Sequence, residues 1–287
     1  MGTSRAQDSP ALFIYYTANL NAALDDCQCG DENVGGLTRV ATVLKHAREQ
    51  HEPLLILDAG DFFNSYAQSL MHLYLLRMMA RLPYTALNVG DQELVESLAF
   101  LQDAKKLFPE RLPFLSTNLH LGKDPVPWLP MKKLSFPRIQ VFLFALVDSR
   151  AFEFIAAEPV QVDAPEQRLR RWLKHPKSGH DFYLVLFHGT WQHARQLVQR
   201  FPEIDLIILG HNQQRRTEKV GQTLLVEPGT EGQWVGAIRV IPKEGTWQLE
   251  HRFIPVTREI AEDPRIKELA LEFYRKLNQL QEGRNER

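Results

Sequence analysis

Short apolar runs that stop on acidic or polar residues recur along this chain. Leu54-Leu55-Ile56-Leu57 lies between Pro53 and the turn Asp58-Ala59-Gly60-Asp61. An apolar run this short, bounded by Pro and Gly, predicts a strand, and covered parallel strands have this composition. Similar strands are predicted over 11–16, 84–89, 113–118, 138–147, 182–187 and 205–209. Leu37, Val40, Ala41, Leu44 and Ala47 repeat at helical spacing and predict an amphipathic helix over 36–50. Further helices are predicted over 67–81, 94–107, 168–174, 191–201 and 263–280. Strand, helix and strand in alternation describe an α/β protein built from right-handed crossover units. The segment 138–147 is expected to open a second sheet, and the Pro-rich stretch 124–130 to be a loop. Segments 223–227, 235–241 and 247–254 read as consecutive antiparallel strands joined by turns.

Composition narrows the picture. Among 287 residues 24 % are charged, the formal net charge is −1, and the Lys and Arg residues are scattered. No electrostatic surface for nucleic acid or membrane is indicated, and no apolar run is long enough to span a bilayer. Residues 1–10 are polar and lack the apolar segment of a secretory signal, so they read as a disordered or leader remnant. One domain is expected over 11–258, followed by a helix and tail over 259–287. The two cysteines, Cys27 and Cys29, are two apart and cannot found a disulfide framework. Such a pair is a ligand pair, a strained disulfide or a coincidence.

The chemistry gathers at strand ends, where open α/β sheets bind their ligands. Those ends carry Asn19 and Asn21, Asp61, Asp91 with Gln92, His188, and His211 with Gln213. Oxygen and imidazole groups converging from separate strands suit a divalent Mn, Fe or Zn ion. In a bland alternative, Asp58 and Asp61 only cap a turn. His193, on a predicted helix, reads as a surface residue.

From about 12 to 254 the sequence resembles the N-terminal catalytic domain of bacterial 5′-nucleotidases, within the calcineurin-like metallophosphoesterases. Six segments in register carry the resemblance: Gly35-Gly36-Leu37-Thr38-Arg39, Leu57-Asp58-Ala59-Gly60-Asp61, Val89-Gly90-Asp91-Gln92-Glu93, Pro113-Phe114-Leu115-Ser116-Thr117-Asn118, Phe187-His188-Gly189 and Leu209-Gly210-His211. The resemblance implies a four-layer α/β/β/α sandwich of two mixed sheets, and export from the cytoplasm. In the family's nucleotidases a second, C-terminal domain stacks the base, and it would be attached where this chain ends in a helix; without it a nucleotide substrate is not expected.

Departures from the family pattern fall at the metal positions. The family's Asp-x-His is Asn19-Leu20-Asn21 here, its Gly-Asn-His-Glu is Gly90-Asp91-Gln92-Glu93, and its Gly-His-x-His is Gly210-His211-Asn212-Gln213. By the resemblance, a first metal would need positions 19, 21, 61 and 213, of which only Asp61 keeps a strong ligand type. A second would use Asp61, Asp91, His188 and His211, all competent ligands, so one ion is expected. Gln92 stands where the family has a His that stabilises or protonates the phosphoryl group. Cys27 and Cys29, near the vacated position, could hold a softer ion such as Zn or Cu(I), or be ordinary thiols or a disulfide.

The leading expectation is a metal-dependent phosphoesterase that hydrolyses a small phosphoester with metal-activated water, Asp91 and Gln92 lying near the transferred group. The competing one is a catalytically inactive relative that binds a metal or a protein partner, and a third is a thiol-dependent role for the cysteines.

Overall fold

The computed structural model describes residues 11–26, 34–108, 111–121, 124–126, 128–154, 160–173 and 176–285. The first half runs β1 (Leu12–Thr17), α1 (Leu37–Gln50), β2 (Leu54–Asp58), α2 (Ser69–Met79), β3 (Ala86–Asn88), α3 (Leu98–Leu107) and β4 (Phe114–Leu115). Next come the short β5 (Leu119–Leu121) and β6 (Asp124–Pro125), then β7 (Met131–Phe136), β8 (Ile139–Val147), β9 (Val160–Val162) and α4 (Pro165–Trp172). The chain continues through β10 (Asp181–His188), α5 (Trp191–Arg200), β11 (Leu206–Gly210), β12 (Arg215–Val220), β13 (Thr223–Pro228), β14 (Trp234–Lys243), β15 (Thr246–Pro255) and α6 (Pro264–Asn285).

Two six-stranded sheets form the centre, in the orders β15-β14-β1-β2-β3-β4 and β12-β13-β11-β10-β8-β7, with a small β6-β5-β9 sheet beside them. In the first sheet β1 to β4 are parallel and the β14–β15 hairpin is antiparallel. Side chains alternate faces along each strand, so Leu12, Ile14, Tyr16, Leu55 and Leu57 point at Val141, Leu143, Leu184, Leu186 and Ile208 of the second sheet. The first sheet's other face packs under α1, α2, α3 and α6, and the second sheet's under α4 and α5. This is the expected α/β/β/α sandwich. No helix among the described residues is long and apolar enough to cross a membrane.

Four expectations are corrected, and one strand was not anticipated. The strands at 223–227, 235–241 and 247–254 are not one meander: β13 runs parallel to β11 in the second sheet, and only β14 and β15 pair antiparallel. β12, Arg-Arg-Thr-Glu-Lys-Val, was invisible as a strand because it is a charged edge strand with little apolar burial. The second sheet opens at β7 rather than at 138–147, and the stretch 124–130 contains β6 and a bridge from Leu129 to Leu115. The predicted strand 113–118 shrinks to two residues, because Thr117 and Asn118 turn away to bond β8. Thr117 N–H donates to Ala145 O at 2.7 Å, and Val147 N–H to Asn118 Oδ1 at 3.0 Å.

Candidate metal centre

The carboxyl ends of β2, β3, β10 and β11 meet at one edge where the two sheets face each other. Asp61 follows β2, Asp91 follows β3, His188 ends β10 and His211 follows β11. Each of the four offers one ligand atom, and these atoms all lie within 4.8 Å of one another. His188 Nε2 is 2.9 Å from Asp91 Oδ1 and 3.2 Å from Asp61 Oδ1, and His211 Nδ1 is 3.5 Å from Asp91 Oδ1. Ligand atoms about 2.1 Å from a shared ion sit about 3 to 3.5 Å apart, so these spacings fit the coordination sphere of one divalent cation.

The backbone is bent to make this convergence. Asp61 (φ 58°) and His211 (φ 92°) are left-handed, as are Asn19 (φ 53°), Asn21 (φ 49°) and Gln213 (φ 56°). Non-glycine residues held there cost free energy and concentrate at functional sites. Glycines make room for the buried imidazole: a Cβ on Gly60 would lie 2.8 Å from His188 Nδ1, and one on Gly90 2.7 Å from His188 Cε1. His188 Nδ1 lies 3.2 Å from the carbonyl of Ala59, which orients Nε2 toward the two aspartates.

Glu93 fastens the two aspartate-bearing turns together. It is fully buried and accepts N–H bonds from Asp61 (2.9 Å), Phe63 (3.0 Å) and Gly90 (2.6 Å). Asp58, also buried, accepts Gly60 N–H at 2.9 Å and the Thr17 hydroxyl at 2.6 Å. That is the turn-capping role, and it leaves Asp61 free for another.

Four acidic groups thus crowd the buried His188 and the half-buried His211. Burial pushes Asp58 up to about 7 and, with Asp61 beside it, Glu93 up to about 8. Burial and the Asp91 charge raise Asp61 well above the carboxylate range. Against the cost of burial, hydrogen bonds from His188 and His211 hold Asp91 low, and Asp91 raises His188. Such a cluster carries more acid than its histidines can neutralise, and a divalent cation offsets the excess.

The first-metal position of the resemblance does not fit an ion. Asn19 Oδ1 accepts His211 N–H at 2.7 Å, while its Nδ2 donates to Glu227 Oε1 (3.1 Å) and Gly229 O (2.9 Å). Glu227 is further engaged by the Trp191 indole at 2.6 Å and by Asn212 Nδ2 at 3.2 Å. Asn21 Nδ2 donates to Thr230 Oγ1 at 2.7 Å, and that hydroxyl reaches Gln213 Oε1 at 3.4 Å. Gln92 Nε2 donates to Asp61 Oδ2 at 3.0 Å, occupying the oxygen a bridging carboxylate would turn to a second ion. Asn21 Oδ1 and Gln92 Oε1 are buried with no donor among the described residues. Cys27 and Cys29 lie outside the described residues.

His193 is not a surface residue. It is buried, with Nδ1 2.7 Å from Asp148 and Nε2 3.2 Å from Glu166, and it stands apart from the four-residue cluster. The roles of Glu93 and Glu227 are not legible from the sequence pattern alone. Position in the Gly90-Asp91-Gln92-Glu93 segment was the available signal for the first.

A two-sheet sandwich with a buried Asp and His cluster at its strand ends is the architecture of the metallophosphoesterases. The family described as calcineurin-like phosphoesterase matches residues 26–215. The chain belongs to that family, whose members are metal-dependent. A snake venom 5′-nucleotidase of Naja atra is 25 % identical over 221 residues, covering 70 % of this chain and 40 % of that protein. A 5′-nucleotidase precursor from Thermus thermophilus superposes with TM-score 0.78 at 21 % identity, over 94 % of this chain and 60 % of its own. The calcineurin-like phosphoesterase YfkN of Bacillus subtilis superposes with TM-score 0.72 at 16 % identity, over 93 % and 97 %. The chain therefore spans less than two thirds of each of these two nucleotidases.

Proposed function

We propose that this chain is a phosphoesterase that works with one divalent ion, Mn, Fe or Zn, held by Asp61, Asp91, His188 and His211. The observation that carries the proposal is the meeting of these four ligand atoms within 4.8 Å, set against a first-metal position filled by amides. When bound, such an ion supplies Lewis acidity to a phosphoryl oxygen and acidifies water. The protein's own part is to hold the ion and orient what binds beside it. Glu93 and the Ala59 carbonyl fix the ligands, and the substrate is a small phosphoester. Gln92, pinned by Asp61, donates a hydrogen bond but has no proton to give a leaving group, so hydrolysis is slow for poor leaving groups.

A second reading, a metal-binding or partner-binding module without hydrolytic activity, is favoured by the same Gln92. The two are separated by Gln92→His, which supplies a titratable group at that position. General acid–base catalysis contributes about 10²–10⁴-fold. For the phosphoesterase reading, the manganese-loaded variant hydrolyses an alkyl phosphate about 10²-fold faster than the wild type. If neither protein hydrolyses any phosphoester above an Asp61→Ala control, the second reading holds.

A further inference from the structure

At the far end of the first sheet from the metal cluster, where β3 and β4 begin, lies a cavity of about 1060 Å³. It is bounded by the second half of α1, the turn after α2, the residue Arg111 before β4 and the first turn of α6. Five cationic side chains line it: Lys45, Arg48, Arg81, Arg111 and Arg265. The one carboxylate there, Asp263, is drawn into capping α6, where its Oδ1 accepts N–H bonds from Arg265 (3.0 Å) and Ile266 (3.2 Å). Lys45 reaches its other oxygen only at 4.0 Å.

Many arginines elsewhere in the protein are paired with an acidic group. Arg39, Arg77, Arg150, Arg168, Arg195 and Arg239 each face a carboxylate. Among the described residues, the guanidinium groups of Arg48, Arg81, Arg111 and Arg265 have no carboxylate partner. The chain as a whole carries a net charge of −1, so this concentration of positive charge is local. Cations gathered around a concave surface add their fields within it. Guanidinium forks match phosphate geometry in pairs of hydrogen bonds. The cavity is large enough for a small molecule, and Leu82, Pro83 and Tyr84 give it an apolar side.

We infer that this cavity binds a small ligand carrying two or more phosphate groups, at a site separate from the metal cluster. Free di- and triphosphates and the phosphorylated headgroup of a lipid share this chemistry. The inference does not depend on the phosphoesterase reading, since none of its residues touches the metal ligands.

Titration calorimetry of the full chain with inorganic tripolyphosphate tests it, alongside co-sedimentation with vesicles containing a phosphoinositide bisphosphate. One site per chain is expected, its affinity falling between 50 and 200 mM salt as the exposed charges are screened. Arg81→Glu with Arg265→Glu is expected to weaken binding at least tenfold while metal content and unfolding midpoint stay unchanged, and Arg48→Gln to weaken it less. Tripolyphosphate binding without vesicle binding assigns a free phosphate ligand. Vesicle binding that tripolyphosphate competes away assigns a headgroup. Binding indifferent to these substitutions, binding abolished by Asp61→Ala alone, or no binding to either probe overturns the inference.

Discussion

Single residues decide how many ions this site holds. Against the family pattern, amides stand in place of a carboxylate at Asn19 and of imidazoles at Asn21, Gln92 and Gln213, and they do more than subtract ligands. Asn21 and Gln213 now share the Thr230 hydroxyl, and Gln92 takes one oxygen of Asp61. Asp91 gains a charge that its two histidines stabilise. Glu93 is the residue whose role is easiest to overlook, because it touches no ligand atom and acts through three backbone N–H groups. Glu93→Gln puts an amide donor against those donors, so the Asp61 and Asp91 turns lose their common anchor. Supporting residues of this kind are worth about 10–100-fold in metal affinity. Competition with a chromophoric chelator is expected to read a loss in that range, and an affinity equal to the wild type would remove Glu93 from the account. Binding also requires neutral His188 and ionised Asp61, both of whose pKa values are raised, so affinity should rise with pH through neutrality as protons are released. Much of this was readable in the sequence, since Asp61, Asp91, His188 and His211 all stand at strand ends. The fate of Asn19 and Asn21 was not readable, because their partners Glu227, Gly229 and Thr230 come from about 200 residues away.

At the scale of elements, the strands hold the ligands and the turns aim them. Gly90 shows how tightly the turns are fitted. A Cβ there would meet His188 Cε1 at 2.7 Å and Asp61 Oδ1 at 2.8 Å. Gly90→Ala is therefore expected to cost about 1–3 kcal/mol, as overpacking does, and to lower metal content. Normal metal content with an unchanged unfolding midpoint would show that the turn has slack. Farther from the cluster, His193 of α5 ties that helix to Asp148 after β8 and to Glu166 of α4. Hydrogen bonds to both carboxylates raise its pKa against the cost of burial, and Asp148 is held low. The raised histidine contributes stability below about pH 6.5, lost as pH rises through its folded value, and the depressed aspartate contributes above about pH 4, lost on acidification. His193→Gln should cost about 2 kcal/mol near pH 5.5 and clearly less at pH 9, by denaturant unfolding at both values. An equal loss at both would mean the imidazole acts as a neutral group. Helix periodicity made α1, α2, α5 and α6 legible, whereas His193 looked exposed because periodicity does not say what covers a helix face. The charged edge strand β12 lacked any apolar pattern to read.

The whole molecule is a two-sheet sandwich whose interior apolar strands bring polar ends from distant parts of the chain to one edge. Its fold was legible because alternation and short apolar runs specify strands wherever both faces are covered. Sheet membership was less so: β13 and β14 are neighbours in sequence but sit in different sheets, a choice made by packing across the core. The central claim is that one sheet edge holds one ion where the family resemblance implies two. Metal per chain, measured by inductively coupled plasma mass spectrometry after manganese or zinc loading and desalting, tests this most directly. The account predicts one ion per chain, lost in Asp61→Ala with His211→Ala. Two tightly held ions, or none in any preparation, would contradict it.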